Sequence, residues 1–341
     1  MLPIFATLVN SMKTALFATA KITVFLLMTE FYTESKMHPF TMAILTLIVS
    51  AFGFVIIGPL IGFFLAAPFS EGNILDQVQN LGDPISHPEI KLPLYILQGS
   101  ATLIGLALIP LAFSFGVFRK GLQSFFVGAS TNMQMFIVVL AITITFMAVN
   151  SAVIHWNASF HFPDFLNGFE SWARDYEDRA EQLTKFMTQF SSTGEFILAF
   201  VVIAILPAIG EEFVFRGMLQ PQLFRATNNI HVAIWTSAIL FSAFHLQFFG
   251  FAPRMLLGAL FGYLYYWSGS LWMPMFAHFV NNGFSVIMLY LNQKGIVNLD
   301  VESTEVVAPW PAIVAFTLIC GVLLYYFKNF FDQKKQVSDG R

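Results

Sequence analysis

The chain has 341 residues, 57% of them hydrophobic and 11% charged, with a formal net charge of −3 and a mean hydropathy of +0.70. A soluble domain carries about 25% charged residues, and so few charges could not cover this much apolar surface in water. A slightly acidic balance provides no attraction for nucleic acid or another acidic partner. The single cysteine, Cys320, excludes an internal disulfide framework and a cysteine metal site; its place in a late apolar run suits contact with lipid or another helix. Long uncharged runs, rather than short alternating segments, read as an all-α polytopic membrane protein and not a β-barrel.

In chain order, residues 1–40 contain an apolar stretch, 15–28, that is short and holds Lys21. This reads as an interfacial segment lying on the bilayer, and no basic region precedes it to suggest a cleaved signal. Eight spans follow, at 41–67, 93–118, 133–155, 196–224, 229–248, 253–268, 271–292 and 309–327. The sixth and seventh are parted by "WSGSLWMP" at 267–274, where Ser-Gly-Ser turns the chain and Pro274 opens the next helix. Between the third and fourth spans, Phe169, Trp172, Tyr176, Ala180, Leu183, Met187 and Phe190 recur at helical spacing, so 167–190 is an amphipathic helix, either resting on the bilayer or covering a site. "NAS" at 157–159 matches a glycosylation pattern that chance also produces.

The loops alternate in charge. Those at 68–92, 156–195 and 293–308 are acidic, whereas Arg119-Lys120, Arg225 and the tail residues Lys328, Lys334, Lys335 and Arg341 are basic. Basic loops mark the cytoplasmic side, which puts both termini there and leaves Arg254 as the one misplaced cation. The organisation expected is an interfacial segment (1–40), an N-terminal transmembrane region (41–195), a transmembrane core that holds the intramembrane polar residues (196–292), and a last helix with a polar tail (293–341).

Polar groups at membrane depth are rare and usually functional. Here they cluster on three spans: Glu211, Glu212 and Arg216 on the fourth, His245 on the fifth, and His278, Asn281 and Asn282 on the seventh. Glu212 and Arg216 stand four apart in the favourable order and can pair. Glu211 is turned about 100° away, toward the face of Phe215, and left unpaired, which suits a general base. Spacing alone also permits the opposite assignment. Counting from a turn near 227 sets Glu211 and His245 level within about 3 Å, and leaves His278 roughly 10 Å off. Pro207, one turn before Glu211, can kink the fourth helix. His278 and Asn282 share a face and could jointly donate to an oxyanion, with Asn281 packing beside them.

These residues resemble the CPBP family of intramembrane proteases, which includes type II CAAX prenyl endopeptidases and bacteriocin-processing proteins. The family's EExxxR motif matches Glu211 to Arg216, its FxxxH motif Phe241 to His245, and its HxxxN motif His278 to Asn282. The resemblance covers residues 196–292. It implies proteolysis within the membrane, with Glu211 and His245 activating water and His278 and Asn282 stabilising the oxyanion. No cofactor is favoured. A zinc-dependent form, with Glu211, His245 and His278 as ligands, stays open. The partners implied are membrane lipid and a peptide or protein substrate. Two other classes compete: a proton-coupled transporter using the same Glu and His groups, and a non-catalytic scaffold. A transporter would be expected to repeat its broken helices in both halves.

Overall fold

A computed structural model of the chain describes residues 37–70, 86–118, 121–126, 133–298 and 307–339. The interfacial segment expected at 1–40 lies almost wholly outside them, as do Glu71, Asp76, Asp83, Arg119, Lys120, Asp300, Glu302 and Glu305. The described residues form nine principal helices, with no strand among them: α1 (Pro39–Phe69), α2 (Pro88–Phe118), α3 (Met133–Ala158), α4 (Asn167–Thr188), α5 (Thr193–Thr227), α6 (Ile230–Ala243), α7 (Phe251–Ser268), α8 (Trp272–Gln293) and α9 (Trp310–Asp339). Eight of them stand where the eight spans are expected, and the ninth, α4, is the amphipathic helix.

Five helices, α1, α2, α3, α5 and α9, are long and apolar enough to cross a membrane. The chain is an all-α integral membrane protein. The other three differ from the expectation for local reasons. The polar residues of α8 and the Arg, Tyr and Trp residues of α7 dilute their hydropathy. α6 is simply short: 14 residues rise about 21 Å, against roughly 30 Å of hydrocarbon. The fifth span is expected to run to residue 248, but helix geometry stops at Ala243 and a turn occupies 244–250. Leu246 there has φ +54°. The backbone is drawn out of the helix by tertiary bonds: Ser242 Oγ donates to Phe251 O at 2.7 Å, Asn157 Nδ2 to Phe248 O at 3.1 Å, and Ala252 N–H to Asn157 Oδ1 at 2.7 Å. Asn157 is buried with both ends of its amide engaged, so the "NAS" pattern at 157–159 presents no free acceptor.

Packing joins the halves of the chain. Ala43 of α1 and Leu106 of α2 share a core with Val214, Phe215, Leu219 and Leu223 of α5 and Ala233 and Phe241 of α6. α1 and α2 cross so closely at Gly105 that a Cβ there would run into the Phe54 backbone, a use of small residues common between membrane helices. On the far side α9 lies along α3, and Cys320 is buried in that helix–helix core with Val139 and Ile142.

α5 is wound unevenly. Wider i→i+5 turns occupy Val201–Ile205 and Phe213–Leu219, on either side of the α-helical stretch Leu206–Glu212. Pro207 explains part of this, because it has no N–H to offer the carbonyl of Ile203. That carbonyl instead accepts from Asn282 Nδ2 on α8 at 3.1 Å. A second carbonyl, Phe215 O, accepts from Ser237 Oγ on α6 at 3.1 Å. Such wide turns are frequent at functional sites.

α4 is held at both ends. At its C-terminal end Tyr95 donates to Met187 O, Lys91 to Gln189 O, and Gln293 Nε2 to Thr188 O at 2.7 Å. At its start Glu170 accepts from Phe162 N–H at 2.7 Å, His161 Nδ1 at 2.8 Å and Arg174 Nε at 2.9 Å. These bonds, led by the Phe162 N–H, hold the Glu170 carboxyl down at about 2, below its ordinary 4.5. A depressed carboxyl stabilises the fold above its unfolded value, and the effect is lost as pH falls through the folded one. The start of α4 is therefore expected to loosen as pH falls from about 4.5 to 2, read by the fluorescence of Trp172. Glu170→Gln should remove that titration; its persistence in the variant would place the titrating group elsewhere.

Candidate active site

The site begins with a charge placed where none is cheap. Arg216 and Glu212 are both fully buried, and Arg216 Nη1 donates to Glu212 Oε1 at 2.6 Å. Removing two charges from water is repaid only by close geometry and further hydrogen bonds. α7 supplies one: Arg216 Nη2 donates to Gly258 O at 2.8 Å. One turn on, Gln220 Nε2 donates to Gly262 O at 3.1 Å. The two rungs ascend together, so α5 and α7 run parallel. The glycines permit the approach, since a Cβ on Gly258 would lie 3.2 Å from Arg216 Nη2 and 3.1 Å from the Ala238 backbone. Aromatic faces complete the enclosure, with the Arg216 guanidinium 4.6 Å from the Phe241 ring centre and 5.3 Å from that of Phe261.

The pairing of Glu212 with Arg216 agrees with their spacing. The third member of the group is one that spacing does not reveal. His278 Nδ1 is 2.9 Å from the same Glu212 Oε1. A carboxylate only accepts, so Nδ1 carries the proton and the tautomer is set. The ring stacks on Phe261, with centres 5.2 Å apart and planes at 19°, and Phe241 meets it edge-on at 6.1 Å. Its other nitrogen, Nε2, lies 3.9 Å from Glu211 Oε2. Counting residues sets His278 roughly 10 Å from the level of Glu211. That count assumes a full-length fifth helix, whereas α6 stops short and α8 packs directly against α5.

Glu211 is the freer carboxylate: its side chain keeps 15% of its exposure, whereas Glu212 has none. His245 sits in the 244–250 turn, two residues past the end of α6, within electrostatic range of both Glu211 and His278. Its Nδ1 donates to Phe241 O at 3.0 Å, which leaves Nε2 as the basic nitrogen of the neutral ring. Phe241 thus serves three groups at once, packing on Arg216 and His278 and fixing His245 with its carbonyl. Asn281 Nδ2 donates to Asn282 Oδ1 at 3.1 Å, orienting the amide whose Nδ2 caps Ile203 O. Arg254, the cation that the charge pattern leaves unexplained, donates from Nη2 to Gln247 Oε1 at 2.5 Å and lies within range of Glu177 and Glu211.

Among the described residues, no three His, Cys, Asp or Glu side chains are gathered closely enough to hold a metal ion. Glu211, His245 and His278 as placed do not form the three-ligand set that zinc requires. Phe261, Gly258, Gly262 and Asn157 escape the sequence reading. A Gly-x-x-x-Gly spacing on an apolar helix is the signal for the two glycines. Nothing in the pattern of α7 distinguishes Phe261 from its neighbours.

Residues 193–284 match the sequence pattern of the family described as type II CAAX prenyl endopeptidase Rce1-like. The matched stretch runs from α5 through most of α8 and is similar to that family over this part of the chain. Three curated bacterial relatives are similar to part of the chain. An uncharacterized Bacillus subtilis protein, YpbD, is 32% identical over 84 residues, 24% of this chain and 40% of its own. The membrane-embedded CAAX protease MroQ of Staphylococcus aureus is 30% identical over 99 residues, 28% of this chain and 40% of its own. The putative membrane peptidase YdiL of Bacillus subtilis is 31% identical over 91 residues, 27% and 37% of the two chains. The chain thus spans well under half the length of each relative it matches. No solved structure matches it significantly.

The two adjacent glutamates should separate on stability. Glu212→Ala strands a buried guanidinium and an imidazole and is expected to cost about 3–5 kcal/mol. Glu211→Ala should stay within about 1 kcal/mol, as expected of a group without a tight ion pair. Denaturant unfolding in detergent measures both, and equal losses would mean that Glu211 supports the fold as much as Glu212 does.

Proposed function

We propose that the chain is a membrane-embedded endopeptidase that hydrolyses a peptide bond of a membrane-associated peptide or protein, CAAX-type tails included. The observation that carries this reading is the division of labour between adjacent carboxylates. Glu212 is spent on Arg216 and His278, while Glu211 is left without a close partner, partly accessible, and facing His278 Nε2 at 3.9 Å.

Water is the nucleophile. Glu211 with His245 Nε2 binds the water and takes one proton as its oxygen attacks the scissile carbonyl carbon. The carbonyl oxygen becomes an oxyanion. His278 donates to it from Nε2 when both ring nitrogens are protonated, with Glu212 as the counter-ion on Nδ1. Asn282 holds one amide N–H on Ile203 O and has the second for the same oxygen. Collapse breaks the C–N bond, and the proton held by Glu211 and His245 passes to the leaving amine. Each step in this reading uses protein side chains alone. Phe241, Arg216 and Asn281 hold these groups in register. The loop charges put both termini on the cytoplasmic side. The partners in this reading are membrane lipid and a peptide substrate, with no role for nucleic acid.

The test is cleavage of a library of C-terminal and membrane-proximal peptides by the purified protein in detergent. Glu211→Ala and His245→Ala are each expected to lower kcat by about 10²–10⁴-fold, the usual contribution of a positioned acid–base group. Asn282→Ala should cost about 10²-fold. Activity should survive strong chelation. Full activity in Glu211→Ala would overturn the assignment of the base, and wild-type protein that cleaves nothing would overturn the endopeptidase reading itself.

A further inference from the structure

The turn that carries His245 is held partly by side chains from outside its own hairpin. Leu246, the next residue, has φ +54°, a left-handed conformation unusual for a branched apolar side chain, and one that persists only where surroundings impose it. Short loops between helices commonly use glycine at such a position. Bonds within the α6–α7 hairpin supply part of the constraint, Leu246 N–H to Ala243 O at 3.0 Å and Ser242 Oγ to Phe251 O at 2.7 Å, and the rest comes from outside it. Glu177, on the surface helix α4, accepts from Phe248 N–H at 2.6 Å and from Phe249 N–H at 2.9 Å through one carboxylate oxygen. Asn157 of α3 holds the carbonyl of the same Phe248 at 3.1 Å, so both backbone groups of that residue are gripped by side chains remote in sequence.

The rest of α4 reinforces the contact. Phe169 packs edge-on against Phe248 with centres 4.9 Å apart, and the Arg174 guanidinium lies 3.8 Å from the centre of Phe249. Neighbouring charges on α4 pair along the helix itself: Arg174 with Glu170 and Lys185 with Glu181. Glu177 is the acidic group of α4 that reaches the turn. α4 is itself tied to α2 and α8 at its far end, so it offers a fixed platform.

We propose that Glu177 is a positioning residue for His245, holding the 244–250 turn so that the imidazole meets Glu211 in working geometry. This rests on the endopeptidase reading for its catalytic consequence but not for its structural one. A displacement of about 1 Å at a reacting group can cost 10²-fold in rate. Because Glu177 acts through the backbone of the turn in this proposal, its loss should appear in kcat and spare KM.

The experiment pairs peptide cleavage with hydrogen–deuterium exchange in detergent, following overlapping peptides across 244–251. Glu177→Ala is expected to lower kcat about 10- to 100-fold with KM within about threefold. The amides of Phe248 and Phe249 should exchange about tenfold faster or more, as expected for losing a charged acceptor. Glu177→Gln keeps an acceptor oxygen and should lie nearer wild type than Glu177→Ala in both readouts. Asp178→Ala, an exposed neighbour on α4, should change neither and controls for general loosening of the helix. Unchanged exchange in Glu177→Ala overturns the proposal, with or without a cleavable peptide. Faster exchange with undiminished kcat in an active enzyme also overturns it, as does a Gln variant no better than Ala. Inactivity of the wild type alone strikes the endopeptidase reading instead.

Discussion

Two polar side chains meet at one buried carboxylate oxygen. Glu212 Oε1 takes Arg216 on one side and His278 on the other, and much of the bundle from α5 to α8 is arranged around that meeting. The glycines of α7 let a carbonyl reach Arg216. Phe241 and Phe261 close over the guanidinium and the imidazole. α8 is drawn against α5 so that His278 presents its second nitrogen to Glu211. A buried ion pair of this kind contributes little net stability over an apolar replacement, but breaking it leaves an uncompensated charge. Its effect here is to fix where α5, α7 and α8 stand relative to one another.

The unusual winding of α5 follows from the same demand. A regular helix consumes its own carbonyls and would present smooth apolar faces to its neighbours. Pro207 has no N–H for Ile203 O, which accepts from Asn282 of α8, and Phe215 O, already bonded to Gln220 N–H in a wide turn, takes Ser237 of α6 as a second donor. Each bond ties a neighbouring helix to the segment that carries the glutamates. Asn282 therefore has a structural role, and Asn281 steadies the amide that makes it.

α6 is too short to cross a bilayer, and the hairpin it forms with α7 turns beneath α4. The amphipathic helix is thus more than a float on the membrane surface. Its apolar residues pack on the turn and on α2, and its polar side chains bond to backbone that the hairpin cannot satisfy alone. That arrangement makes His245 a loop residue held on a rigid frame.

Much of this is legible without coordinates. The eight hydrophobic stretches, the amphipathic spacing of 167–190 and the i,i+4 pairing of Glu212 with Arg216 follow from local periodicity, which depends only on helix geometry and hydrophobicity. The concentration of polar residues on three spans marks the region of the site for the same reason. What periodicity does not encode is where one helix stands against another. That His278 reaches Glu212, that Phe261 stacks on it, and that the fifth helix gives way at Ala243 depend on side chains from α3, α4, α7 and α8 that converge only once the bundle packs. The sequence by itself determined a helical membrane protein and the residues with chemistry to offer. The tertiary structure decided which carboxylate is bound and which is left free, because a buried charge is settled by its neighbours in space and not by its neighbours in the chain.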